Sequence, residues 1–250
     1  MTTTALAHEP PPPLPWLRRL LDAATTSNGP AAPWTLRVRG NVVEVLAPAG
    51  DRGALLSAGA FLQRLTLTAR HAGRSTHIGR DVLDDGVVAR VSFGGGEHYD
   101  LHADRLFAAF TDNAAGVSFA DDDSVDPFEV SLLSSAALIA GAQLVVVDDA
   151  RKSELCRLIT RRQGADDDVD DAHSVFAPVL AVIVTDGDAD RDVLRGGEAA
   201  ARVKLTAAAD SLGVVEFDVD DDDRVRLREL LAVAGTPQIV LGFGHPMHRG

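Results

Sequence analysis

Residues 51–73 read DRGALLSAGAFLQRLTLTARHAG. Leu55, Leu56, Ala60, Leu62, Leu65 and Leu67 recur on a helical period and Gly73 stops it, which predicts a helix over 53–72. A surface helix keeps one polar stripe. Here the apolar positions are too widely spread for that, so the helix is expected to be buried on more than one face and to form the centre of the first half of the chain.

Outward from this helix, the order of elements follows from period and punctuation. Trp16 to Ala24 reads as a short helix broken at Ser27-Asn28-Gly29-Pro30. Trp34 to Val38 and Val42 to Leu46 alternate as strands around Arg39-Gly40-Asn41, which suits a tight hairpin. Val87 to Phe93 reads as a strand ended by Gly94-Gly95-Gly96. Helices follow at 102–110 and 126–139, the second opened by Asp126-Pro127 with Glu129 in its first turn. A strand at Gln143 to Val147, a helix at 149–162, a buried strand at Val179 to Thr185 and a long helix at 190–211 come next. A helix over 223–234 and a strand from Gln238 to Phe243 close the pattern. Helices alternating with apolar strands indicate a layered fold containing both.

Composition narrows the function classes. The chain has 250 residues, 46% of them apolar, and no run near the ~18 apolar residues a membrane span needs. The Pro-rich opening, Pro10 to Pro15, stands where a secretory signal would carry its apolar core, so a cytoplasmic location is expected. Cys156 is the only cysteine, which excludes an internal disulfide and reads as a small buried hydrophobe. The net charge of −13 divides into +1 over 1–100 and −14 over 101–250. Nucleic acid requires a basic face and is not an expected partner. The acidic runs Asp166 to Asp171 and Asp218 to Asp223 read as solvated loops, and neither has the glycine and terminal glutamate of an EF-hand. Glu97, His98, His102 and Asp104 have the side-chain types of a two-His, one-carboxylate metal site but not the spacing of a known one, so no metal is expected. Neither a nucleophile-elbow sequence nor a phosphate loop is present.

Four segments in order resemble the Acg branch of the nitroreductase-like family, whose members place two flavin-reductase-like halves on one chain. They are SNGPAAPWTLRVRGNVVEVLA (27–47), with its Pro33-Trp34 pair, and residues 51–73, with Arg52 and Gly59. The others are GEAAARVKLTAAADSLGV (197–214) and GTPQIVLGFGHP (235–246). The resemblance implies an α+β fold of the FMN-dependent nitroreductase type, with an antiparallel or mixed sheet, long central helices and two pseudo-equivalent halves. It divides the chain into a flexible tail (1–14), a first half (15–98) and a second half (99–250) sharing one core.

The same resemblance implies FMN as cofactor and an NAD(P)H:acceptor oxidoreductase or flavin-sequestering activity. The flavin contacts it implies are Ser27, Arg52, Gly197 and Gly213. Arg52 would neutralise charge at the flavin's pyrimidine edge, or else pair with a surface acid; Ser27 would donate to the flavin or shape a turn. Gly197 and Gly213 bracket a helix as its start and its C′ residue, which accounts for them without a ligand. Pro30 and Ala32 replace polar residues of the family's first loop. TDNAAGVSF (111–119) carries no basic residue where the family grips the flavin phosphate. A weakened flavin site is therefore expected, with a cofactor-free binding or assembly partner, or a flavin-independent biosynthetic enzyme, as the alternative. Expected partners are a small-molecule ligand or flavin, with an internal pseudo-dimer or a homo- or hetero-dimer as the assembly.

Overall fold

The computed structural model describes residues 14–25, 32–80, 86–96, 101–111, 119, 125–163, 177–217 and 219–247. From the N-terminus the chain runs α1 (Pro15–Thr25), β1 (Thr35–Arg39), β2 (Val42–Leu46), α2 (Arg52–His71), β3 (Thr76–Gly79), β4 (Val87–Phe93) and α3 (Leu101–Thr111). After it come α4 (Pro127–Ile139), β5 (Gln143–Val146), α5 (Asp149–Gln163), β6 (Val179–Thr185), α6 (Asp190–Ala209), β7 (Gly213–Phe217), α7 (Asp221–Leu231) and β8 (Thr236–Gly244). Two four-stranded antiparallel sheets result, ordered β1-β2-β4-β3 and β5-β6-β8-β7.

The two sheets share one plan. In each, the second strand leads into a 20-residue helix and the third strand lies at an edge, paired with the fourth. Arg52 and Asp190 open the two helices 138 residues apart, and the same interval separates β3 from β7 when both are placed by their partners on β4 and β8. Both sheets carry a bulge at the same place, between Val45 and Leu46 in one and Ile183 and Val184 in the other. Even the helix exits agree: Gly73 and Ser211 both take positive φ, 69° and 63°. The next residue then bonds back, Arg74 N to Ala69 O and Leu212 N to Ala207 O, each at 2.9 Å. Satisfying the last carbonyls this way requires a left-handed residue, and only the first copy uses glycine.

The helices α2 and α6 cross at a pair of equivalent glycines. A Cβ on Gly59 would lie 2.1 Å from Leu194 O, and one on Gly197 would lie 2.1 Å from Leu56 O. Any side chain there would force the backbones apart. Leu55, Phe61, Leu62, Leu65 and Leu194 fill the surrounding core with at most 1% exposure, which accounts for the width of the apolar pattern in 51–73. Trp34 anchors the hairpin on α2, its indole donating to Ser57 Oγ at 3.0 Å and its ring lying 4.5 Å from that of Phe61.

The outer faces of the sheets differ. Leu180, Val182, Val184 and Val240 are covered by Leu155 and Cys156 of α5 and by Leu227 and Leu231 of α7. No helix stands in the corresponding β1–β2 hairpin, where Gly40 turns the chain at φ 62°. There Glu44 is 3% exposed because arginines enclose it: Arg37 Nε lies 2.5 Å from one carboxylate oxygen and Arg90 Nε 2.9 Å from the other.

Two strands, β3 and β7, are absent from the sequence-based reading. Both are short edge strands, and their pairing with β4 and β8 carries them rather than their own pattern. The glycine reading also changes. Gly197 lies inside α6 rather than at its start, kept small by the Leu56 carbonyl, and Gly213 opens β7, while Ser211 holds the left-handed position.

Candidate functional site

Asp51 begins the site by capping α2, its side chain accepting from Ala54 N at 2.9 Å. This fixes the first turn, and Arg52 leaves it toward the second half. One guanidinium nitrogen of Arg52 donates to Asp188 Oδ1 at 2.7 Å, and the other to Pro237 O at 3.4 Å and to the side-chain oxygen of Gln238. Asp188 sits in the β6–α6 connection and is shared. Arg224 of α7 reaches both its oxygens, at 2.7 and 2.9 Å, while its other terminal nitrogen pairs with Asp221.

Gln238 is fully buried, and the β8 bulge explains its position. Ile239 pairs with Ile183 and Pro237 with Val184, which leaves Gln238 as the extra residue, turned out of the ladder beside a proline that cannot donate. Its amide nitrogen donates to Thr185 Oγ1 at 2.6 Å. Gly196 accommodates it, since a Cβ there would lie 3.0 Å from Gln238 Cβ and Cγ. Burial pushes the Asp188 carboxyl up, but hydrogen bonds and charge from Arg52, joined by Arg224, outweigh it and hold the group below the usual carboxylate range. Burial lowers the Arg52 guanidinium against the pull of Asp188.

Beside this network lies a cleft of about 550 Å³, lined by Arg52, Gly53 and Leu56 of α2 and by Val219, Asp220, Asp221 and Asp222 at the start of α7. Leu56 and Val219 are its apolar part, and Gly53 leaves the helix backbone uncovered. The charges of the lining do not balance: one guanidinium group, Arg52, stands against three carboxylates, Asp220 to Asp222, with the Asp188–Arg224 pair in the network beside it.

Of the residues expected from the sequence, the structure places Arg52 on this cleft. Gly197 is at the helix crossing, against the backbone of Leu56, and Gly213 is on β7; neither is itself among the lining residues. Ser27, Glu97, His98 and the run 166–171 lie outside the described residues, as does most of 111–119. Asp104 bonds to His71 Nδ1 at 2.6 Å across α3 and α2. No group of His, Cys, Asp or Glu among the described residues is arranged to hold a metal. Cys156 is buried beneath β6, which pushes its thiol up. Asp188, Arg224 and Gln238 escaped the sequence reading as site residues, because Arg52 and Asp188 are 136 positions apart and only the fold joins them. Gln238 did stand in the quoted segment 235–246, whose Pro-Gln pair was the one available signal.

Comparison with solved structures gives the fold class: this is a nitroreductase fold. A putative nitroreductase from Anabaena variabilis superposes with a TM-score of 0.61, at 10% identity, over 82% of this chain and 69% of its own. A putative NADH dehydrogenase/NAD(P)H nitroreductase from Bacteroides thetaiotaomicron aligns over 57% of this chain and 89% of its own, at 18% identity and a TM-score of 0.47. No family model matches the sequence, and no curated protein matches it. No helix among the described residues is long and apolar enough to cross a membrane.

Proposed function

We propose that the chain is an oxidoreductase of the nitroreductase type, of the Acg branch, which lodges a flavin ring in the cleft at the start of α2 and holds it weakly. The observation that carries this reading is a cleft of about 550 Å³ at the contact of the two halves of a nitroreductase fold, with Arg52 at its edge. Its volume suits a small planar ligand. FMN has two parts with different needs. The ring finds Leu56 and Val219 for its faces and Arg52 for its polar edge; the phosphate finds Asp220, Asp221 and Asp222, where a dianion needs cations. The ring fits the described residues and the phosphate does not, so no step is routed through bound FMN.

A bound flavin supplies hydride chemistry, with NAD(P)H as donor and a small quinone, nitro or other aromatic compound as acceptor. The chain's own contribution is to seat the ring and to hold Arg52 in place through Asp188 and Gln238. Residues 15–98 and 99–250 are the proposed halves of an internal pseudo-dimer, and the proposed location is the cytoplasm. The test is to purify the protein, record its visible absorbance, add riboflavin or FMN, and follow NAD(P)H oxidation with a quinone. Flavin absorbance with acceptor-dependent turnover is expected. A colourless protein that takes up neither flavin ends this reading in favour of a cofactor-free partner.

A further inference from the structure

We propose that this cleft selects planar aromatic ligands that are neutral or cationic over those carrying a phosphate, and that Asp221 and Asp222 of α7 make the selection. The inference rests on the reading of the cleft as a ring-binding site and adds the charge class of the ring it takes.

The cavity itself is the starting point. Its apolar part, Leu56 and Val219, gives a ring two surfaces, and Gly53 keeps the side toward α2 open. The cations beside it are engaged. Arg52 donates to Asp188 and Gln238, and Arg224 donates to Asp188 and Asp221. An entering anion would have to draw them from Asp188, whose carboxyl they hold below its ordinary range. The first turn of α7 would otherwise offer an anion its backbone N–H groups and the positive end of the helix dipole. That end is already occupied: Asp220 caps it, accepting from Asp223 N at 2.8 Å, and Asp221 and Asp222 add two further negative charges. A phosphate dianion entering there meets repulsion from every carboxylate at the rim, and the chain's net charge of −13 adds to it. A cationic ring meets the opposite field.

The connection that carries this rim is longer than its counterpart in the other half. Ala89 and Ile239 face the equivalent residues Val45 and Ile183, so the interval between the halves rises from 138 residues at β3 and β7 to 150 at β4 and β8. Those twelve added residues are the segment that contains α7.

Fluorescence titration of the full chain with riboflavin, FMN and the cationic tricyclic dye proflavine, at low and at physiological salt, tests the proposal. At low salt riboflavin is expected to bind about tenfold or more tighter than FMN, with proflavine at least as tight as riboflavin. In Asp221→Asn/Asp222→Asn the gap between riboflavin and FMN should narrow, and added salt should narrow it in the wild type. Val219→Trp, which fills the cleft, should remove binding of all three probes. FMN binding as tight as riboflavin overturns the proposal, and so does failure of both riboflavin and proflavine to bind. A gap unchanged in the double variant, or proflavine binding that survives Val219→Trp, overturns it as well. If proflavine alone binds and the double variant releases it, the charge selection stands while the flavin reading fails.

Discussion

At the helix crossing a single methyl group decides whether the halves fit. Gly197→Ala would bring a Cβ to 2.1 Å from Leu56 O, a backbone atom that cannot swing aside, so the helices must separate. The expected cost is about 2–4 kcal/mol of stability, read as a fall in denaturant midpoint at constant slope. Gly59→Ala should cost a similar amount. Arg52 is a second such position. A surface arginine could be truncated with little effect, but here the buried Gln238 oxygen would lose its donor. Arg52→Ala is expected to cost about 1–3 kcal/mol in thermal unfolding, besides any loss of ligand. Glu44 makes a third case. Burial raises its carboxyl, but hydrogen bonds from Arg37 and Arg90 outweigh this and leave it below its ordinary value of 4.5. A depressed value in the folded state means that the contribution is complete above 4.5 and is lost as pH falls through the lower folded value. Glu44→Gln should accordingly lower the melting temperature at neutral pH and flatten its dependence on pH in the acid range.

At the scale of elements, Ser211 is the informative exception. It occupies with φ 63° the position that Gly73 fills in the other half, and a residue with a Cβ pays for that conformation. Ser211→Gly is expected to raise stability by about 0.5–1 kcal/mol, measurable in a urea melt. The same region shows what a sequence can and cannot disclose. The hairpin at Arg39-Gly40-Asn41 was legible because its turn is local, and the α4 start was legible because Asp126 and Glu129 form a capping box three residues apart. The edge strands β3 and β7 were not, because four or five residues of mixed polarity become a strand only when a partner is present. Gly197 could be located but not explained, since its reason is a carbonyl 141 residues earlier in the chain. The same holds for the candidate site. Arg52 stood out at the start of a strong helix, whereas Asp188 lay in an unremarkable acidic loop and gained meaning only from Arg52 and Arg224.

For the whole molecule, the two halves have no separate cores at their contact. Val193 and Leu194 of α6 belong to the same apolar cluster as Leu55 and Phe61 of α2, and Leu56 of α2 also packs on the cluster beneath β6 and β8. Ion pairs cross the seam as well, with Arg80 holding both oxygens of the buried Glu198 at 2.8 and 2.6 Å. Unfolding should therefore be one transition with equal calorimetric and van't Hoff enthalpies; two resolved transitions would show that the halves are separable. The α7 segment makes the chain unlike an assembly of two identical subunits. In such an assembly every insertion occurs twice, so a change that improves one cleft is imposed on its twin. With both halves on one chain, the twelve residues around α7 lengthen the β7–β8 connection and leave the β3–β4 connection of the other half short. Symmetry survives where the helices must meet and lapses at the connection that lines the cleft, so one half can change there without imposing the change on the other.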